Sequence, residues 1–133
     1  MRIAALLVAA GSGSRFGSGQ PKQFATIGGK PVVRWAAEAL APHADLLLAV
    51  GSPVPLDAAL AGLDHLPAVP GGAERQDSVR AGLEALVAHA PDLVLVHDAA
   101  RPNVGHGMVQ ALIAALDGLH GAIPAVPVAD TLK

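Results

Sequence analysis

Short apolar runs alternate along the chain with segments of helical periodicity. Ile3–Val8, Leu46–Val50 and Leu93–His97 are nearly continuous runs of Val, Ile, Leu and Ala. His65–Val69 is a weaker run, and Ala122–Val128 is a fifth, interrupted by prolines. Runs of this kind suit strands covered on both faces. Three intervening segments read as helices. Val32–Leu40 follows Pro31, whose missing N–H is harmless at a helix start. Glu74–His89 sets Val79, Leu83, Leu86 and Val87 along one face, and Gly107–Leu119 does the same with Val109, Leu112, Ile113 and Leu116. Ser52–Asp57, with two prolines, reads as a surface connection that a short helix could follow. The alternation predicts an α/β domain with a mainly parallel sheet. Such sheets bind ligands in loops at the carboxyl ends of their strands. Chemistry is therefore expected in the loops after Val8, Val69, His97 and Val128.

Composition narrows the classes. The chain has 133 residues, enough for one domain, with 52% hydrophobic and 15% charged residues. Together with a mean hydropathy of +0.46, this favours a packed core over disorder. Nine Lys and Arg against eleven Asp and Glu leave a net charge of −2, so neither nucleic acid nor an acidic membrane is an expected partner. Phe16, Phe24 and Trp35 are the aromatic residues, too few for a base-stacking platform. The absence of cysteine excludes disulfides, thiolate metal sites and thiol chemistry, and it fits a reducing cytoplasm. Arg2, the apolar run Ile3–Ala10 and the small residues after it also have the outline of a secretory signal. The run is far shorter than the ~20 apolar residues of a membrane span.

The first loop runs Ala9-Ala10-Gly11-Ser12-Gly13-Ser14-Arg15-Phe16-Gly17 and continues to Pro21-Lys22-Gln23. It lacks the Gly-Lys-Ser/Thr ending of a Walker A loop, and Phe16 stands where a dinucleotide fingerprint needs its third glycine. Its distinguishing feature is cationic. Arg15 and Lys22 beside a glycine nest suit a polyphosphate, although a flexible turn with two solvated cations reads equally well. The next candidate, Gly71-Gly72-Ala73-Glu74-Arg75-Gln76-Asp77-Ser78, pairs glycines that could approach a flat base with a nearby hydroxyl. An ordinary turn whose Glu74 favours the helix N-terminus is the simpler reading. In His97-Asp98-Ala99-Ala100-Arg101-Pro102, Asp98 could hold a hydrated Mg2+ or a hydroxyl and Arg101 a phosphate, or the two could form a plain surface ion pair. The remaining histidines have no metal-ligand spacing.

In this order, AAGSGSRFG with PKQF, GGAERQDSV, VLVHDAARP and PVADTLK resemble the 2-C-methyl-D-erythritol 4-phosphate cytidylyltransferase family of the non-mevalonate isoprenoid pathway. The motifs span nearly the whole chain, and they turn Ala9–Gly13 into a binding loop rather than a signal cleavage site. The resemblance implies a three-layer, Rossmann-like nucleotidyltransferase fold and a cytoplasmic enzyme. It also implies roles by position. Arg15 and Lys22 match the catalytic pair on the triphosphate. Ala9, Ala10, Gly11, Gly71, Gly72, Ser78 and Ala99 match the nucleotide-binding positions. Asp98 and Arg101 match residues near the metal, ribose and sugar phosphate, and Thr131 a contact of methylerythritol phosphate. Ala73 and Ala129 depart from the aspartate and arginine of some relatives.

Family members continue well beyond the TLK motif, with further strands, an arm that interlocks two subunits and another catalytic lysine. Residues 1–133 are accordingly expected to be the N-terminal portion of one nucleotidyltransferase domain, with a homodimer expected only for the longer enzyme. The implied reaction joins CTP and 2-C-methyl-D-erythritol 4-phosphate with Mg2+ and releases pyrophosphate. Its rivals are a cytidylyltransferase for another polyol phosphate such as ribitol 5-phosphate, a more distant guanylyltransferase of the molybdenum-cofactor type, and a non-catalytic nucleotide-binding module.

Overall fold

A computed structural model describes residues 1–11 and 20–130. Among these residues, four parallel strands form the sheet in the order β5-β4-β1-β6: β1 (Ile3–Ala9), β4 (Leu46–Gly51), β5 (Val69–Pro70) and β6 (Leu93–Asp98). β1 lies between β4 and β6, with Val8 level with Val50 on one side and Asp98 on the other. The run that had the outline of a secretory signal is thus a central strand, and Ala4 to Leu7 are wholly buried.

The sheet is covered on both faces, and strand alternation decides which side chain meets which helix. Ala5, Leu7 and Ala9 of β1 and Leu47 and Ala49 of β4 face α1 (Val32–Leu40), α2 (Pro53–Ala59) and α4 (His106–Ala115). Ala4, Leu6, Leu48 and Val50 face α3 (Arg75–Leu86). The arrangement is the expected three-layer α/β/α domain. On α3 the buried positions are Ser78, Gly82 and Leu86; of the expected core face Val79 and Leu86 pack on the sheet, while Leu83 and, just beyond the helix, Val87 are exposed. A Cβ at Gly82 would collide with Leu6 and lie 2.8 Å from Val50, so a small residue sets how closely α3 approaches the sheet.

Three further expectations are corrected. Ala122–Val128 is not a strand: Pro124 and Pro127 carry no N–H for a ladder, and Ile123, Val126 and Val128 are exposed. Of His65–Val69 only Val69 enters the sheet, as part of β5, because Pro67 interrupts the run. Leu66 makes a single backbone bond to Leu47. The segment Ser52–Asp57 is largely helix. Pro53 occupies the first turn of α2, where its missing N–H is harmless, and Leu56 is fully buried.

The start of β1 is tied down by carboxylates. Asp92 accepts from the Arg2 N–H at 2.6 Å, and Asp45 from the Ile3 N–H at 2.9 Å. The opposite, carboxyl end of the sheet carries the loops. Among the described residues between β1 and α1 are a 3-10 turn (Lys22–Phe24) and a hairpin of β2 (Thr26–Ile27) and β3 (Lys30–Pro31). Gly28 and Gly29, at φ 58° and 82°, supply the two positive φ values that a tight hairpin turn needs. The hairpin is fastened to α1 by Glu38, which pairs with Lys30 at 2.5 Å and Arg34 at 2.9 Å. Lys30 also lies 3.7 Å above the Trp35 ring, whose N–H donates to Ile27 O.

Candidate functional site

A cavity of about 320 Å³ opens at the carboxyl ends of β1 and β6. Val8, Ala9, Ala10 and Gly11 form one wall, Lys22 and Gln23 a second, and Asp98, Ala100, Arg101 and Arg75 a third. Strand pairing explains the meeting: Asp98 ends β6 level with Val8, and Ala99 N–H donates to Val8 O at 2.9 Å. The turn after β6 is closed by Arg101 N–H to Asp98 O at 3.1 Å. The His97 ring also reaches Arg101 O, with Nε2 at 2.8 Å. His97 therefore braces the turn.

Among the described residues, three cations and one carboxylate line this cavity. Arg75, the first residue of α3, donates from Nε and Nη2 to Asp98 Oδ1 at 3.0 and 2.9 Å. Arg101 Nε lies 3.5 Å from the other oxygen, Oδ2. One negative charge shared by two guanidinium groups leaves an electropositive recess, although the chain as a whole is slightly acidic. Such a recess attracts polyanions such as phosphates. Among the described residues no group of three or more His, Asp or Glu is placed to hold a metal ion. The donor set suits a Mg2+-type ion carried on phosphate oxygens with a single protein carboxylate, since Mg2+ commonly takes one or two carboxylates and keeps the rest of its shell from phosphates and water.

The second glycine loop adjoins the first. A Cβ at Gly71 would stand 2.5 Å from the Ala10 Cβ and 3.0 Å from Ser78 Oγ, so the close packing of the two loops requires glycine there. Ser78 is fully buried, and its Oγ accepts the Gly72 N–H at 3.0 Å. In this arrangement its hydroxyl shapes the loop from beneath. Glu74 and Asp77 form a reciprocal capping box at the start of α3, with Glu74 N–H donating to Asp77 at 3.1 Å.

Of the positions expected to act together, Ala9, Ala10, Gly11, Lys22, Asp98 and Arg101 share the cavity. Gly71 packs against Ala10 at its edge, Gly72 is held to Ser78 and does not line the cavity, and Ser78 and Ala99 are fully buried. Arg15 and Thr131 lie outside the described residues. Arg75 and Gln23 were missed. Arg75 sits inside the quoted GGAERQDSV motif, but nothing in its spacing says that α3 begins there and aims it at Asp98. Gln23 had a weaker signal still, a lone amide beside a lysine. A larger cavity of about 630 Å³ runs between β6 and α4, lined mainly by apolar side chains such as Val94, Val96, Met108 and Leu112. It lacks the convergent cations of the smaller one.

Comparison with known proteins gives a consistent result. The family model described as 2-C-methyl-D-erythritol 4-phosphate cytidylyltransferase, IspD, matches residues 3–133. The bifunctional enzyme IspD/IspF of Granulibacter bethesdensis is 64% identical over 133 residues, covering 100% of this chain and 35% of that protein. The enzyme of the same name from Gluconobacter oxydans is 58% identical over 141 residues, with 100% and 36% covered. The chain thus spans about a third of the length of these curated relatives. A crystal structure of 4-diphosphocytidyl-2C-methyl-D-erythritol synthase superposes with a TM-score of 0.81 at 33% identity, covering 99% of this chain and 62% of that one. The bifunctional IspDF of Campylobacter jejuni superposes with a TM-score of 0.82 at 26% identity, with 100% and 35% covered.

Proposed function

Because the chain belongs to the 2-C-methyl-D-erythritol 4-phosphate cytidylyltransferase (IspD) family, we propose that the whole protein carrying it transfers a cytidylyl group from CTP to 2-C-methyl-D-erythritol 4-phosphate. The products are 4-diphosphocytidyl-2-C-methyl-D-erythritol and pyrophosphate. The observation that carries this reading is the convergence of Lys22, Arg75 and Arg101 on a recess walled by the Ala9–Gly11 backbone.

In the reaction, a phosphate oxygen of the acceptor attacks the α-phosphorus of CTP. The new P–O bond forms as the bond from the α-phosphorus to the bridging oxygen breaks, and its electron pair leaves with pyrophosphate. The second pKa of a phosphate monoester is about 6, so the nucleophile is already an anion at neutral pH and no general base is needed. The protein's work is positioning and charge stabilisation. Lys22, with Arg15 as its partner, is assigned to the charge that grows on the departing phosphates. Ala9, Ala10 and Gly11 hold the nucleotide through backbone groups, and Gly71, Gly72, Ser78 and Ala99 frame it. Asp98, Arg101 and Thr131 are assigned to the acceptor side. A divalent ion, for which we propose Mg2+, would be held by Asp98 and the phosphates of CTP. When bound it supplies neutralisation of phosphate charge. Asp98 would then give up part of its pairing with Arg75, freeing that guanidinium for a phosphate.

The same reading makes the whole protein a cytoplasmic homodimer, and the names of its relatives support a second enzyme downstream in the same polypeptide. Among the described residues no helix is long and apolar enough to cross a membrane. The test is pyrophosphate release by the full-length protein given CTP, Mg2+ and either 2-C-methyl-D-erythritol 4-phosphate or ribitol 5-phosphate. Turnover with the first acceptor is expected. Preference for ribitol 5-phosphate would move the assignment to the rival acceptor, and CTP binding without turnover would reduce it to a nucleotide-binding module.

A further inference from the structure

Gln23 and Ser78 are the buried polar side chains among the described residues, and Gln23 is only 4% exposed. Burying an amide is costly unless its hydrogen-bonding groups find partners. Both hydrogens of the Gln23 amide do: Nε2 donates to Ala9 O at 2.8 Å and to Gly11 O at 2.9 Å. These carbonyls belong to the backbone segment that leaves β1 and walls the cavity. The same side chain grows from the turn that carries Lys22, a turn closed by Phe24 N–H to Pro21 O at 3.0 Å and Ala25 N–H to Lys22 O at 3.2 Å.

We infer that Gln23 is a positioning residue: its buried amide clasps the Ala9 and Gly11 carbonyls and so holds the nucleotide-binding backbone and the Lys22 turn in one fixed geometry. The inference rests on the cytidylyltransferase reading and adds to it the residue that sets the geometry of the polyphosphate subsite. In a planar trans peptide the C=O and the following N–H point in opposite directions. Drawing the Ala9 carbonyl toward Gln23 therefore turns the Ala10 N–H the other way. Two donors on one side chain fix two peptide planes at once, which a hydroxyl cannot do and a carboxylate, lacking donors, would oppose. The clasp also sets where Lys22 stands relative to Ala9–Gly11. A lysine on a long flexible stem stabilises a transition state only if its anchor is held.

The test uses the full-length protein. Gln23→Met keeps the length of the side chain and removes both donations. It should lower kcat/KM for CTP roughly ten- to a hundredfold, as expected for two lost hydrogen bonds, while KM for 2-C-methyl-D-erythritol 4-phosphate stays within about twofold. Gln23→Glu should be worse at neutral pH and recover part of the loss toward lower pH, measured as a ratio to the unsubstituted enzyme, because a protonated carboxyl regains one donor. A Gln23→Met protein with normal CTP parameters overturns the inference. So does one whose activity falls only in proportion to its folded fraction, with both KM values unchanged. If neither variant folds, the side-chain amide resonances of Gln23 in the unsubstituted protein decide. They should shift on adding CTP with Mg2+ and stay still on adding the acceptor alone, and silence toward CTP refutes the role. Failure of the unsubstituted protein to transfer cytidylyl groups would instead count against the proposed function, while CTP affinity measured directly would still report on Gln23.

Discussion

The backbone places Lys22 and Asp98 in one cavity, and the roles proposed for them depend on that placement. Lys22 is exposed on a single helical turn whose next residue is locked into the interior. In the proposed reaction its charge should matter most where charge accumulates, on the leaving pyrophosphate. Lys22→Ala in the full-length enzyme is therefore expected to reduce kcat by roughly a hundred- to a thousandfold, with a much smaller rise in KM for CTP. Steady-state kinetics at varied CTP checks this, and an unchanged kcat with a weakened KM would reduce Lys22 to ground-state binding. Asp98 is held by Arg75 and Arg101 together, so removing one arginine leaves the other. That Lys22 and Asp98 share one cavity was legible in the sequence, because glycine loops and strand ends gather at the carboxyl end of a parallel sheet. Arg75 and Gln23 were not legible, since their roles depend on partners 23 and 14 or 12 residues away in the chain.

The elements behave according to the small residues inside them. α1 appears over the residues predicted for it, whereas α3 bears out its expected face in part: Val79 and Leu86 pack on the sheet core, but Gly82, and not Leu83, meets the sheet between them. Gly82→Val should destabilise the protein by about 1–3 kcal/mol through overpacking against Leu6 and Val50, seen as a lower urea midpoint at unchanged slope. Helical periodicity marks apolar residues and is blind to a glycine at the contact, which is why Leu83 and Val87 were misplaced on that face while Val79 and Leu86 were not. The hairpin on α1 offers a pH test. Hydrogen bonds from Lys30 and then Arg34 hold the Glu38 carboxyl below its ordinary value of 4.5. The unfolded chain lacks those partners. The stability they add is thus fully present above the unfolded value and is lost as pH falls through the lower folded one. Glu38→Gln should lower Tm near neutral pH and narrow the gap to the parent protein in acid. A gap that does not change with pH would refute this.

The whole molecule is a sheet with two separate cores, one against α1, α2 and α4 and the other against α3. Val33 belongs to the first and Val50 to the second, and both are fully buried. Val33→Ala and Val50→Ala should each cost roughly 1–3 kcal/mol and add within about 0.5 kcal/mol when combined, because they share no partner across the sheet. Strong coupling in a double-mutant cycle would contradict the two-core architecture. At this scale, local chemistry was enough to read the alternation of strands and helices, the parallel sheet and the end of it where the glycine loop and the cavity lie. Apolar runs and glycine loops report a residue's immediate surroundings, and those needs are met in any arrangement of the same layers. Which strand stands beside which, the loss of Ala122–Val128 as a strand, the inward face of α3 and the meeting of Arg75 with Asp98 were decided only in three dimensions. Each depends on a pairing between distant parts of the chain, and that pairing is selected by the packing of the whole sheet.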